Sequence, residues 1–371
     1  MKVFVSGLGM ASCLGPVVPA CAAFRANLQR PSPALETDLS LPGDEVPQPI
    51  TVRTLPVATF GFTGVGRLVA LACEVLKDLW TRADLETLGA ETGFYLALPD
   101  PLERGLDLGG PDDTVAQRIE SLGTRVLEAS LRNLGLDWTG PYRFFGGGHA
   151  AFAQALHEAH AQLQHSGFRS CVVMGLDCLV EESTLEALLE EHRLKTPDQP
   201  VGLTPGEAGA ALLLSLNEAA PSPGVPNVLL RAVRLGREPH PRGSDRPSDG
   251  RALAGCARDA FATVGQAWSP PLLVSDHNGE EARAREWGMV LLHLRAQDSM
   301  GAGPHAWYPA LGFGDVGAAS GAVAVCVATR GLQRRYAPSS TCLILSSADD
   351  SGRAAMLLEA EPSFPSKDAS P

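Results

Sequence analysis

The stretch FFGGGHAAFAQALHEAHAQLQ, residues 144–164, passes from two aromatics through three glycines and His149 into an alanine-rich run. Small and apolar residues recur there at helical spacing, so the glycines predict a tight turn that opens a helix over residues 149–165. Upstream lie KVFVSGLG, PACAAFRANL, GRLVALACEVLKDLW, ETGFYLALP and TRVLEASLRNLG; downstream come the strand-like SCVVMGLDC (170–178), the helical STLEALLEEHRL and the strand-like GAALLLSL. Short apolar strands alternating with helices of about 10–15 residues predict an α/β architecture.

The segment NEAAPSPGVPN, residues 217–227, carries three prolines that forbid regular structure and marks an internal boundary. A second series then begins with VLLRAVRLG and a polar loop, REPHPRGSDRPSDG. It continues through a helix over 251–266, the strand PLLVSD, a helix over 280–296, a glycine-rich turn at 312–321 and the strand TCLILSSA. Two related halves, 1–217 and 228–360, are expected, with the Pro- and Ser-rich residues 361–371 as a disordered tail. Residues 32–55 and 99–113, rich in Pro, Asp and Gly, read as irregular surface excursions.

At 371 residues and 44% hydrophobic content the chain is large enough for one big core or two fused ones. Its formal net charge of -12, with no basic run, argues against nucleic-acid or anionic-membrane surfaces. Small molecules or proteins are the expected partners. The eight cysteines are scattered without a CxxC, which fits buried thiols in a reducing cytoplasm. MKVFVSGLGMASCLG reads as a first strand and turn, not a signal peptide, and no apolar segment reaches the roughly 20 residues of a membrane span.

The order of these pieces resembles the β-ketoacyl synthases of the thiolase superfamily along almost the whole chain. VFVSGLGMASCLG is similar to that family's first strand and turn, and GLTPGEAGAALLLS (202–215) to its Gly-Glu-Gly-containing strand. In the second half, HPRGSDRPSDGRALAGCARDAFATVGQAWSPPLLVSDHNG follows the family's Pro-Asp-Gly loop, helix and strand ending in His-Gly-Thr. GFGDVGAASGAVAVCVATRGL resembles its Gly-His-x-x-Gly-Ala-Ala-Gly loop and helix. The resemblance implies a thiolase-like five-layer αβαβα sandwich of two related halves, with the active site between them. In active members a cysteine at a helix N-terminus attacks an acyl thioester, and two histidines assist decarboxylative condensation. Helix-terminal N–H groups lower a thiol pKa and can hold a thioester oxyanion, so that placement is chemically coherent.

Carrying the family pattern over residue by residue exposes several departures. Matching Ala155, Leu156, Ala159 and Leu163 puts the nucleophile position at His149, whereas matching Gly167 puts it at Ala150; neither is a cysteine. His277 takes the place of the first histidine, but Asn278 and Gly279 follow it where Gly and Thr are expected. The second histidine is replaced by Gly314, the lysine five residues before it by Pro309, and the Gly-rich gate by ADDSGR, residues 348–353. Cys171 and Cys178 lie on the following strand and read as core thiols. Condensing activity is therefore not expected.

Two functions follow from the resemblance. One is a catalytically degenerate accessory or scaffold subunit, like a chain-length factor or recruited to other machinery. It would form a homodimer, or pair with an active ketoacyl synthase or another protein, with acyl carrier protein as a further partner. The other is an acyl-thioester-processing enzyme in which neutral His149, paired with His277 across the cleft, acts as base or nucleophile. For assembly, the strand SCVVMGLDC is expected to pair with its copy across a two-fold axis.

Other features have ordinary readings. His157, His160 and His165, with Glu158, do not form HExxH, and no metal or cofactor site is expected. Gly7 and Gly9 make only a partial dinucleotide fingerprint, and no GxSxG elbow occurs. His305 reads as a loop residue, and Glu207 as a structural acceptor for buried backbone donors. Glu280, Glu281, Arg283, Arg285 and Glu286 read as a helix start whose charges pair on a solvated face.

Overall fold

In a computed structural model, the structure describes residues 1–39, 48–83, 89–110, 112–165, 167–217, 225–264, 271–296 and 305–361. The strands are β1 (Phe4–Ser12), β2 (Ser32–Leu39), β3 (Gln48–Val52), β4 (Thr92–Ala97), β5 (Tyr142–Phe145), β6 (Ser170–Cys178), β7 (Glu207–Ser215), β8 (Val228–Arg237), β9 (Leu272–Ser275), β10 (Ala306–Trp307), β11 (Thr341–Ser347) and β12 (Gly352–Ala360). The helices are α1 (Val17–Arg25), α2 (Pro56–Thr59), α3 (Gly64–Trp80), α4 (Val115–Leu134), α5 (Ala151–His165), α6 (Glu182–Glu190), α7 (Arg251–Phe261), α8 (Glu281–Arg295), α9 (Ala310–Phe313) and α10 (Ser320–Gln333).

Ten strands form one sheet in the order β10-β9-β11-β12-β8-β1-β7-β6-β4-β5. Either side of the centre the pattern repeats: two parallel pairings at the outside, then two antiparallel ones. The two five-stranded portions touch through the single register pair Phe4↔Leu229 of β1 and β8.

Helix composition explains the layers. In α10 every residue from Gly321 to Thr329 is buried, and α5 buries a small-residue face including Ala151, Ala155 and Ala159. A helix that is apolar nearly all round belongs in an interior layer. These two helices pack on each other between the inner faces of the two sheet portions, in one core that includes Phe152, Leu156, Val323 and Met356. The helices α3 and α4 cover the outer face of one portion, and α7 and α8 that of the other. Both carry polar residues outward, and α4 is closed by a Thr114–Gln117 capping box and a left-handed Gly135. With helices on both faces, β6 and β11 are buried along their whole length. The expected αβαβα sandwich is the fold observed.

Four expectations are corrected. The strand SCVVMGLDC, β6, is not an edge: it pairs in parallel with β4 and antiparallel with β7. The chain runs β4, α4, β5, then crosses back over β4 through α5 to lay down β6 on the other side. The edge is therefore β5, the strand before α5. Residues 32–55 are not wholly irregular, because β2 and β3 pair antiparallel and Ile50 and Val52 join a small core with Leu185 and Leu188 of α6. Glu361, expected in the disordered tail, is held in place: its N–H bonds the Asn227 carbonyl and its carboxylate pairs with Lys2. The helix expected over 251–266 is shorter, since α7 ends at Phe261 and turns at Ala262; residues 218–224 of the proline-rich boundary, 265–266 and 362–371 lie outside the described residues.

Candidate functional site

Two glycine-bearing loops meet at the head of the central layer. Gly147 and Gly148 take positive φ angles of 117° and 55° to turn the chain into the 3-10 turn Gly148–Ala150 that leads α5. Facing it is the loop Gly314–Ala319 ahead of α10. Across this junction His149, only 6% exposed, places Nε2 2.8 Å from Asp315 Oδ1. Arg283, from the first turn of α8, brings Nη2 to 2.9 Å from His149 Nδ1. Both ring nitrogens are thus engaged.

The partners are themselves tied down. Asp315 also accepts from the Gly317 N–H at 2.9 Å and from Asn278 Nδ2 at 2.5 Å. Arg283 donates to Asp276 at 3.1 Å, to Asp349 at 3.1 Å and to the Ser347 carbonyl. Asn278 donates to Glu280 at 2.8 Å; Arg193 clamps Glu280 at 2.8 and 3.1 Å and reaches Asp349 at 2.7 Å. On the far side of the loop Arg104 grips Asp177, whose Oδ2 accepts the Ala318 N–H at 2.8 Å.

Hydrogen-bond chemistry assigns the imidazole. A guanidinium can only donate, so Nδ1 of His149 accepts and Nε2 carries the proton given to Asp315. Burial and Arg283 disfavour the imidazolium while Asp315 and Asp276 favour it strongly enough to raise the pKa. The Arg283 bond nevertheless requires an unprotonated Nδ1, and we assign the neutral tautomer. Burial opposes ionisation of Asp315, yet the His149 and Asn278 bonds and the Arg283 charge hold its carboxyl far below the usual range. Asp349 is likewise driven low, against its burial, by Arg283 and Arg193.

His277 does not face His149. Its ring packs edge-on against Tyr308 with centroids 5.8 Å apart, its Nδ1 is buried without a partner, and burial lowers its pKa. Its neighbours Asp276 and Asn278 enter the network instead. The expected His149–His277 pair is therefore replaced by His149–Asp315 and His149–Arg283. At the second-histidine place, Gly314 has φ +79°, and a Cβ there would lie 2.9 Å from the Thr204 carbonyl and 3.0 Å from the Arg53 stem. No L-residue enters that backbone without moving it. Pro309 caps the short α9. The turn at 348–353 is pinned by Arg353, which pairs with Glu286 at 2.7 Å and donates to the Ala348 and Asp350 carbonyls.

The cluster at the start of α8 is not a solvated face. Glu280, Arg283 and Glu286 are 9%, 7% and 5% exposed, because His149, Asp349 and Arg353 close over them from distant segments. Asp276, Asp315 and Arg193 have no reading in the sequence analysis, and Asn278 and Asp349 enter it only as departures from the family pattern; Asp315, directly after Gly314, is the local signal closest to the site.

All eight cysteines are buried and unpaired. Burial pushes Cys171 up to about 12, and its Sγ lies 3.8 Å from the Ala159 carbonyl; Cys178 sits 3.8 Å from Glu207, also with a raised pKa. Neither thiol is poised as a thiolate. Glu207 accepts from the Leu55 N–H, Thr59 and Arg67 at 2.7, 2.8 and 2.7 Å, the structural task expected of it. His160 bonds Gln164, His165 bonds the Ala161 carbonyl, and Glu158 pairs with Arg143. Among the described residues no group of three His, Cys, Asp or Glu could hold a metal ion, and no helix is long and apolar enough to cross a membrane.

Space matches the bonding. The cavity beneath Asn278, Gly314 and Asp315 has a volume of about 10 Å³, room for one water at most. The network borders a polar cleft of about 650 Å³, lined by Arg193, Arg242, Arg246, Glu280, Glu281 and Asp349.

Solved structures share this arrangement of strands and helices. The chain aligns with the ishigamide ketosynthase/chain length factor at a TM-score of 0.68 and 20% identity, covering 98% of this chain and 100% of that one. It aligns with the AntDE:AntF complex, a type II PKS acyl-carrier protein with its ketosynthase bound to the hexaketide, at a TM-score of 0.75 and 14% identity, covering 97% and 99%. The fold is a ketosynthase fold. An oxazolomycin ketosynthase domain from Streptomyces albus aligns at a TM-score of 0.72 and 14% identity, covering 98% of this chain and 76% of that one. No family model and no curated protein matches the chain by sequence. Within the ketosynthase fold, His149 stands where α5 begins, and Gly314 and Asp315 stand where the loop before α10 meets it.

Proposed function

We propose that this chain is a non-condensing, chain-length-factor-like accessory subunit built on the ketosynthase fold. The observation that carries the reading is the capping of both His149 ring nitrogens by Asp315 and Arg283. A group at the head of α5 that is buried and bonded at both nitrogens has no lone pair left with which to attack a thioester or take a proton. The positions His149, His277 and Gly314 are read as degenerate, and the network around them as the piece that joins the halves 1–217 and 228–360.

The surface for a partner is β5, whose outer side meets no strand among the described residues and whose Tyr142 is 44% exposed. An active ketosynthase, or a second copy, would add its own β5 there, and acyl carrier protein would approach the assembled pair. The cytoplasm is the proposed setting. The test is co-expression with a type II ketosynthase, followed by native mass determination of the purified product. A stable one-to-one complex, lost on Tyr142→Glu, is the expected result; a monomer of 39.0 kDa under all conditions would overturn the pairing.

A second reading rests on His277, whose Nδ1 is unpartnered and whose lowered pKa keeps it neutral. A thioester-processing enzyme would use it as a base. Hydrolysis of acyl thioesters by the isolated chain, abolished by His277→Ala, would favour this reading over the first.

A further inference from the structure

The seam between β1 and the C-terminal end of α10 holds a cleft of about 370 Å³, away from the His149 network. Arg82, Arg330 and Arg334 line it, with Ser6, Asn227 and Gln333; among the described residues no Asp or Glu does. Its remaining wall is apolar, made by Val5, Leu8, Val17, Val225 and Pro226.

The charges there do not balance. Arg82 pairs with Asp78 at 3.0 Å, but the carboxylate of Asp78 is also taken by the Met10 and Val17 N–H groups. Arg330 donates to the neutral Gln333 at 3.0 Å, and the Arg334 guanidinium has no hydrogen bond or ion pair among the described residues. Burial lowers the Arg330 pKa, and repulsion from Arg334 and Arg82 adds to it, so the three cations feel one another. In a chain of net charge -12 such a patch is exceptional. The C-terminus of α10 favours a nearby cation. That accounts for an arginine in its last turn, but not for Arg82 arriving from the end of α3 or for the cavity between them.

We infer that this cleft binds a phosphorylated small molecule, with Arg330 and Arg334 taking the phosphate and the apolar wall taking the organic portion. Guanidinium forks match phosphate oxygens, and two uncompensated cations match one dianion. The volume exceeds what a bare phosphate fills and falls within the roughly 300–1,000 Å³ of small-molecule sites. This site is independent of the accessory reading above, since none of its residues belongs to the His149 network.

The test is calorimetric titration of the full chain, at low ionic strength, with inorganic pyrophosphate and with adenosine monophosphate, adenosine serving as the uncharged control. Saturable one-to-one binding of the phosphorylated probes is expected, with none for adenosine. Arg334→Gln, at an exposed position that leaves folding intact, and Arg330→Gln should each weaken binding by about tenfold or more, the equivalent of one charge-assisted bond. Arg246→Gln, in the other cleft, should leave it unchanged. Absence of saturable binding, or affinity that stays within about twofold in Arg334→Gln, would overturn the proposal.

Discussion

Two clusters of arginine in this molecule are built on opposite principles. Around His149, each guanidinium meets carboxylates from distant segments: Arg283 has Asp276 and Asp349, Arg193 has Glu280 and Asp349, and Arg353 has Glu286. In the seam cleft only Arg82 meets a carboxylate, that of Asp78, which is itself engaged by backbone; Arg330 reaches the neutral Gln333, and Arg334 has no ion pair among the described residues. A closed set of partners fixes structure; an open set waits for something from outside. The ketosynthase fold here has filled the junction of α5 and α10 with the first kind and holds the second kind elsewhere.

The contrast can be broken by mutation. The largest effect is expected from Asp315→Ala, which removes the acceptor of His149, Asn278 and the Gly317 N–H at once. Breaking one partner of a buried charge network costs about 3–5 kcal/mol, read as a fall in unfolding free energy in urea. A smaller loss, about 1–3 kcal/mol, is expected for His149→Cys, because a thiol cannot bridge Asp315 and Arg283 and leaves both short of a partner. Restoring sulfur at that place should yield no condensing activity, which carrier-bound substrates would report.

Acid provides a graded version of the same test. Asp315 and Asp349 have folded-state pKa values below their unfolded ones, so their contribution is fully present above the unfolded carboxylate value and is lost as pH falls. The urea midpoint should decline below about pH 4, and decline less in Asp315→Asn, which carries no proton-linked charge there. The seam cleft should barely respond: Arg334→Gln is expected to change unfolding free energy by no more than about 0.5 kcal/mol in ligand-free protein. A loss as large as that of Asp315→Ala would mean that the two clusters do not differ in kind.

Much of this was legible in the residues themselves. The alternation of apolar runs, the all-round small residues of α10, and the order of five motifs led to the layered sandwich, and glycine spacing led to His149 at the head of a helix. What local sequence hid was closure from afar. Arg283 sits in a run of charges that looks like any solvated helix start, and only the approach of His149, 134 positions away, buries it. The place of β6 is hidden for a related reason: which side of a parallel neighbour a strand occupies is decided by the crossover, not by its own residues. From the sequence Gly314 reads as a simple replacement of histidine, whereas its φ of +79° and the nearby Arg53 stem give that position a requirement for glycine of its own.

The central claim, that the junction of α5 and α10 is structural and not catalytic, is tested most directly by single-turnover assay of the isolated chain. The substrates are acyl and malonyl thioesters on acyl carrier protein, with mass detection of product and of acylated protein. Neither a ketoacyl product nor an acyl adduct is expected, in wild type and in His149→Ala alike. A product or adduct formed by the wild-type chain and absent from His149→Ala would contradict it.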